Sequence, residues 1–287
     1  MALAAVLAAS VPVLWAQGSG RDSGDLDAAS QRQLAEELGA RRVAEPTAQR
    51  GDGPDFRALF RGAVGAVPFV VTTSGSGSGI VLDVGRRDTG AWVVTNHHVV
   101  ERPFRTRGGD AVVVLLFYEP DIANAPADPA KLVSCFEPQS TGDWCNALRG
   151  SMRLGQVVGA DPGRDLAVIR VRDLPARIAP LRAADLGAVQ PGDVVAAIGH
   201  PQGFLWSLTT GIVSAVRSKF RMGDTDGTVI QTQAPVWHGN SGGPLLTGDG
   251  RVVGVVSWGL SRTQGFNMAI AINEVQSFAT ALTRDGR

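Results

Sequence analysis

The chain has 287 residues, with 27 basic and 27 acidic side chains, a formal net charge of zero and a pI near 6.9. That balance gives no electrostatic reason to expect nucleic acid or an anionic membrane surface as a partner. The length allows one large domain or two small ones, either with a substantial core.

The first predicted element is an apolar leader. Ala2 to Ala16 carries no charge, contains Pro12, and is too short for a comfortable membrane span. Ala16 followed by a Gly/Ser segment suits a signal-peptide cleavage site, so residues 1–16 read as an export signal and the protein as periplasmic or secreted. The charge-poor start leaves an uncleaved anchor or a misassigned start codon as alternatives. Unless that segment stays uncleaved, no stable membrane span is expected. Residues 17–54 are polar and read as a linker or arm, within which Leu26 to Val43 fits one amphipathic helix.

From about Phe56 the pattern changes. Eleven short apolar runs follow, from "AVPFVVT" to "GFNMAIAI", most of them bounded by Gly, Pro, Asp or Asn. Helical stretches do not alternate with them, which excludes a doubly wound sheet and points to an all-β architecture of two sheets or barrels. Cys135 and Cys145 lie ten residues apart. In an exported chain they are a disulfide candidate; otherwise they are two unrelated thiols. The chain ends in "INEVQSFATALTRDGR", where Asn273 and Gln276 suit a cap and Val275, Phe278 and Leu282 fall at helical spacing. A terminal helix packed on the second barrel is expected.

The segment "HGNSGGPLL" places Ser241 among glycines. It fits the G-x-S-x-G elbow of α/β-hydrolases, the G-[D/N]-S-G-G loop of trypsin-like proteases, or a glycine-rich turn with an incidental serine. The elbow requires a histidine after the serine, whereas all four histidines, His97, His98, His200 and His238, precede Ser241. The subtilisin order needs an aspartate well before the histidine; Asp83 superficially suits but lies only 15 residues before His98, and the β-rich pattern contradicts that α/β fold. The order that remains is His, Asp, Ser. A metal role for the histidines is not expected, since His97 and His98 on a strand would face opposite ways.

"TNHHVV" resembles the catalytic histidine segment of trypsin-like and HtrA/Deg-type proteases, aligning His98 with the reactive position. "RDLAVIRV" resembles their aspartate strand, with Asp165 as the third member, and "GNSGGPLL" their nucleophile loop. "AIGHPQGFLWSLTTGIVSAV" resembles the HtrA segment I-G-N-P-x-G…T-x-G-I-V-S. The resemblance covers roughly residues 60 to 275. It implies two six-stranded antiparallel β-barrels with a C-terminal helix, over residues 55–287, and a catalytic cleft between the barrels. It also implies a His98–Asp165–Ser241 triad, an oxyanion hole from Gly239, Asn240 and Ser241, and no metal or organic cofactor. Asp110, Asp121, Asp128, Asp143 and Asp161 are rival acids, read as mostly solvated loop residues.

Several departures from the pattern carry information. Trypsin-like zymogens have an aspartate before the nucleophile, whereas Asn240 has no charge to pair with a cut N-terminus, so loop ordering rather than cleavage is the expected switch. The region from about Arg102 to Arg153 is longer than in HtrA proteins and reads as an elaborated loop. Two strands and a helix are expected after Ser241, with no PDZ domain. Pro235, six residues before Ser241, offers no counter-ion for a basic substrate residue. Val236, Trp237, His238, Ser257, Trp258, Gly259 and Asn267 are the expected substrate-binding set, with an apolar preference. The expected activity is a serine endopeptidase acting on exported or misfolded proteins. The alternatives are a non-proteolytic binding protein on a protease fold, or an esterase using the same triad. The resemblance further implies a homotrimer, with the segment before Phe56 available for assembly.

Overall fold

The computed structural model describes residues 53–72, 75–83, 91–107, 111–123, 142–222, 225–259 and 265–284. The expected export signal, the arm up to residue 52 with its helix, and Cys135 lie outside the described residues. So do residues 108–110 and 124–141 of the long region between His98 and Asp165.

The chain enters through α1 (Phe56–Ala63), whose first turn is capped by Asp55 Oδ1 accepting from Arg57 N at 2.9 Å and Ala58 N at 3.0 Å. Seven strands then form the first sheet: β1 (Phe69–Thr72), β2 (Gly75–Ser78), β3 (Ile80–Val81), β4 (Ala91–Thr95), β5 (Val112–Leu116), β6 (Met152–Asp161) and β7 (Leu166–Val171). Their order is β2-β1-β5-β6-β7-β4-β3, with every pair antiparallel. The two outermost members, β2 and β3, are separated in the chain only by Gly79. They are two arms of one bent strand, one pairing with β1 and the other with β4, so the sheet curls round on itself. Counted this way it has the six strands expected of the first barrel. The second sheet is a closed barrel of β8 (Val194–Gly199), β9 (Ser207–Met222), β10 (Thr225–Thr232), β11 (Pro244–Thr247), β12 (Val252–Gly259) and β13 (Asn267–Ala271), in the order β10-β13-β12-β11-β8-β9.

Burial explains the register. β6 alternates, turning Gly155, Val157 and Gly159 inward, as a strand with one dry face must. β4, β7 and β13 are buried along nearly their whole length because helices or the neighbouring sheet cover their second face. One core cluster runs from Val70, Val93 and Ile169 of the first sheet to Ile198, Leu246 and Val255 of the second, so the two barrels share a continuous apolar contact.

Elements beyond the apolar runs also appear. β2 reads Gly-Ser-Gly-Ser and has no apolar signal, and β11 lies inside the nucleophile segment, so three strands rather than two follow Ser241. His97 opens a helix, α2 (His97–Arg107), which packs on β1, β5, β6 and β7. The long region contributes α3 (Pro120–Ala123) and α4 (Asp143–Ser151). The terminal helix α5 (Ile272–Arg284) begins at Ile272, so Asn273 sits in its first turn rather than at the cap. It rests on the second barrel as expected and reaches the first as well. Leu282 fills the space over Gly159 of β6, and Arg164 lies 5.7 Å from the Phe278 ring centroid.

Candidate active site

Asp165 follows a short 3-10 turn and adopts a left-handed backbone, φ 53° and ψ 42°, which a short polar side chain tolerates. That conformation turns its carboxylate onto the first turn of α2. His98 N donates to Oδ1 at 3.0 Å, and His98 Nδ1 lies 3.1 Å from Oδ1 and 2.9 Å from Oδ2. The Asp165 carbonyl is held as well, by His97 N at 3.1 Å and Asn96 Nδ2 at 2.9 Å. The carboxylate thus caps the helix and grips the His98 ring, charge-assisted contacts that favour its ionised form. Burial pushes Asp165 upward, but the hydrogen bonds from His98 and Ser257 outweigh it, and the carboxyl lies below its ordinary 3.8. The His98 side chain is 47% exposed against 13% for Asp165, so part of the ring remains open while the carboxylate is largely covered.

Ser257 links this pair to Ser241. The β12–β13 register shifts between Val256 and Trp258, leaving Ser257 as the extra residue of a bulge. Freed from the ladder, Ser257 Oγ donates to Asp165 Oδ2 at 2.6 Å, and its carbonyl accepts from Ser241 Oγ at 2.8 Å. Ser241 is positioned by close contacts to both barrels. Its carbonyl accepts from Ser78 N at 2.7 Å, and Gly242 N donates to Val256 O at 2.7 Å. A Cβ on Gly242 would lie 2.1 Å from Ser78 O, so only glycine lets the loop come this close.

Trp237 to Asn240 is a turn closed by Asn240 N donating to Trp237 O at 2.9 Å, with Gly239 at φ +100° in the position that demands a left-handed residue. The Asn240 amide is therefore spent inside the turn. That corrects its expected place as an oxyanion donor. The Gly239 and Ser241 amides donate to no backbone acceptor among the described residues. Asn240 itself is buried, and its Oδ1 has no partner.

The expected pocket residues divide. Val236 packs against the second-barrel core. Asn267 is buried, with Nδ2 donating to Ala234 O at 2.8 Å, so its amide braces the loop leading to Ser241. Gly259 pairs with Asn267. Trp237 is 61% exposed and His238 is exposed, so the indole is not a buried pocket wall. The Trp258 side chain lies outside the described residues. Of the rival acids, Asp161 is engaged by Arg164 Nε at 2.7 Å and Asp143 begins α4. Cys145, in α4, is disulfide-bonded.

His200 is bonded to Ser78 rather than to Ser241. It is fully buried between the Phe69 and Trp206 rings, with Nδ1 2.9 Å from Ser78 Oγ. Burial pushes its pKa down to about 3. Ser78, Asn96 and the Asp165 contact of Ser257 were not legible as site features. Ser78 sits in a Gly/Ser run, and a bulge leaves no mark in hydropathy.

Comparisons with known proteins bear on the family and the fold. A family model described as a trypsin-like peptidase domain matches residues 77–255. A serine protease Do-like HtrA from Bacillus subtilis is 33% identical over 226 residues, covering 75% of this chain and 41% of that protein. A probable periplasmic serine endoprotease, DegP-like, from Marinomonas is 37% identical over 139 residues, covering 47% of this chain and 29% of the relative. Among solved structures, the HtrA-type protease AlgW with a tripeptide superposes with a TM-score of 0.59 at 24% identity, covering 82% of this chain and 65% of that one. The chain spans less than half the length of these two curated relatives.

Proposed function

The chain belongs to the trypsin-like peptidase domain family, and on that premise we propose that it is a serine endopeptidase of the HtrA/Deg kind. The observation that carries the proposal is the Asp165–Ser257–Ser241 arrangement beside His98. It supports the reading because Asp165 bonds both His98 and Ser257, and Ser257 in turn accepts from Ser241.

In this reading Asp165 holds Nδ1 of His98 and leaves Nε2 to face the cleft. Ser241 Oγ turns from the Ser257 carbonyl to His98 Nε2 and attacks the substrate carbonyl as His98 takes its proton. The Gly239 and Ser241 amides receive the oxyanion. His98 then gives its proton to the leaving amine, and water repeats the sequence on the acyl-enzyme. The substrate pairs as an added antiparallel strand along Ser257 to Gly259. An apolar residue before the scissile bond suits Val236 and the lack of an acid at Pro235. Action on exported or misfolded proteins and a homotrimeric assembly belong to the same proposal. Support for export comes from the apolar leader and from the relative named periplasmic.

Digesting an unfolded protein library and mapping the cut sites tests the proposal. Cleavage after small or medium apolar residues, abolished in Ser241→Ala, is expected. Ester turnover without any peptide cleavage would favour the esterase reading.

A further inference from the structure

Gly239 lies between two peptide groups whose oxygens are both held by the protein. His238 O accepts from Gln202 N at 2.7 Å, and Gly239 O accepts from Ser78 Oγ at 2.7 Å. A trans peptide points its C=O and N–H in opposite directions, so holding His238 O fixes where the Gly239 N–H aims. Holding Gly239 O fixes the next peptide plane. Ser78 also donates its backbone N–H to Ser241 O at 2.7 Å. One residue of the first sheet therefore pins the carbonyls of both residues whose amides are proposed to receive the oxyanion.

The proton count identifies what stands behind Ser78. Its hydroxyl has one proton, and Gly239 O can only accept, so that proton lies on the Gly239 bond. His200 Nδ1, 2.9 Å from the same oxygen, must then donate. His200 is thereby the Nδ1–H tautomer, and its Nε2 is a bare acceptor, buried and without a partner. An orphaned buried acceptor is destabilising, and an apolar side chain in this aromatic pocket would avoid it. The cost is explained if the Nδ1 proton has a task.

We propose that His200 is a positioning residue which, through Ser78, aims the Gly239 amide at the oxyanion. The proposal rests on the reading of Ser241 as nucleophile. With Nδ1–H on its oxygen, Ser78 can turn its own proton only toward Gly239 O. Without His200, the Ser78 hydroxyl is free to rotate, the Gly239–Asn240 peptide keeps only its bond from Asn240 N to Trp237 O, and Gly239 is no longer held from both flanking planes.

The test uses the full chain and a peptidyl trifluoromethyl ketone with valine at the reacting position. The adduct's hemiketal pKa is read by fluorine NMR, beside kcat and KM for a matching peptide. In His200→Leu and Ser78→Ala, kcat should fall by about 10-fold or more with KM little changed, and the hemiketal pKa should rise by about one unit. His200→Asn, whose amide can donate to Ser78, should recover most of both. Folded variants with wild-type hemiketal pKa and kcat would overturn the relay alone. A wild type that forms no adduct would overturn the nucleophile reading and the relay with it. If His200→Leu does not fold, Ser78→Ala decides.

Discussion

Ser241 donates its hydroxyl to the carbonyl of Ser257 at 2.8 Å, while Ser257 donates its own hydroxyl to Asp165 at 2.6 Å. One bulged residue thus touches two members of the proposed triad. In the structure the Ser241 hydroxyl is bonded to that carbonyl. Attack requires it to turn toward His98, and the bulge sets where it starts.

Replacing Ser257 with alanine removes the donor to Asp165 but keeps the carbonyl. A hydrogen bond to a charged group contributes about 1.5–3 kcal/mol. Ser257→Ala should therefore lower kcat/KM by about 10-fold or more, and the Asp165 carboxyl should move up from its depressed position. Steady-state kinetics and carboxyl titration by NMR check the two parts. Wild-type kinetics in the variant would mean that His98 alone orients the carboxylate.

Asn240 is buried with no cation beside its Oδ1 among the described residues. An aspartate there would put an unpaired carboxylate in a dry site. Asn240→Asp should lose about 3 kcal/mol of stability at neutral pH and regain part of it on mild acidification, as the new carboxyl takes a proton. Urea unfolding at two pH values measures this.

Gly239→Ala should fold poorly or lose turnover. A Cβ there would lie 2.2 Å from His200 O, and φ +100° is a conformation that side chains resist. The expected signature is a lower melting temperature together with a fall in kcat of about 100-fold, the scale of losing one oxyanion donor. A variant with wild-type melting and turnover contradicts the placement of this amide.

Buried His200 makes stability depend on pH. The unfolded chain takes a proton near 6.5, whereas the fold keeps the ring neutral down to about 3. Between these values the unfolded state binds the extra proton, so stability is full above 6.5 and falls by about 1.4 kcal/mol per pH unit on acidification. Asp165 acts lower. Its depressed folded pKa contributes stability above the unfolded value of 3.8, which is lost as pH falls through the folded one. Urea unfolding at about pH 6 and about pH 4.5 should show wild type losing roughly 1–2 kcal/mol more than His200→Asn. Equal losses would mean that His200 is protonated in the fold.

Much of this site was legible because its chemistry is tied to residue identity and order. With no histidine after Ser241 the α/β-hydrolase order fell away, the β-rich pattern removed the subtilisin order, and His98 and Asp165 were assigned from the motifs that resemble the family's. The eleven apolar runs marked strands because each buries a face. What escaped notice depends on backbone geometry. β2 carries no apolar residue, so its Gly-Ser alternation gave no strand signal, and Ser78 went unnoticed with it. The helix that opens at His97 was not anticipated, although Val99 and Val100 lie on its buried face. Ser257 was expected on the substrate strand, but its hydroxyl reaches Asp165 only because a bulge re-aims it. The Asn240 amide is consumed by a turn that becomes visible only when the Gly239 φ is known.

The most direct test of the central claim is labelling of the full chain with a fluorophosphonate, followed by peptide mapping of the modified residue and hydrolysis of an unfolded protein by the same preparation. The account predicts a single adduct on Ser241 and peptide cleavage. Neither should occur in Ser241→Ala, and in Asp165→Asn both should be slowed by about 10⁴-fold, because the His98 tautomer is no longer held. A folded wild type that takes up no label and cleaves no peptide contradicts the account.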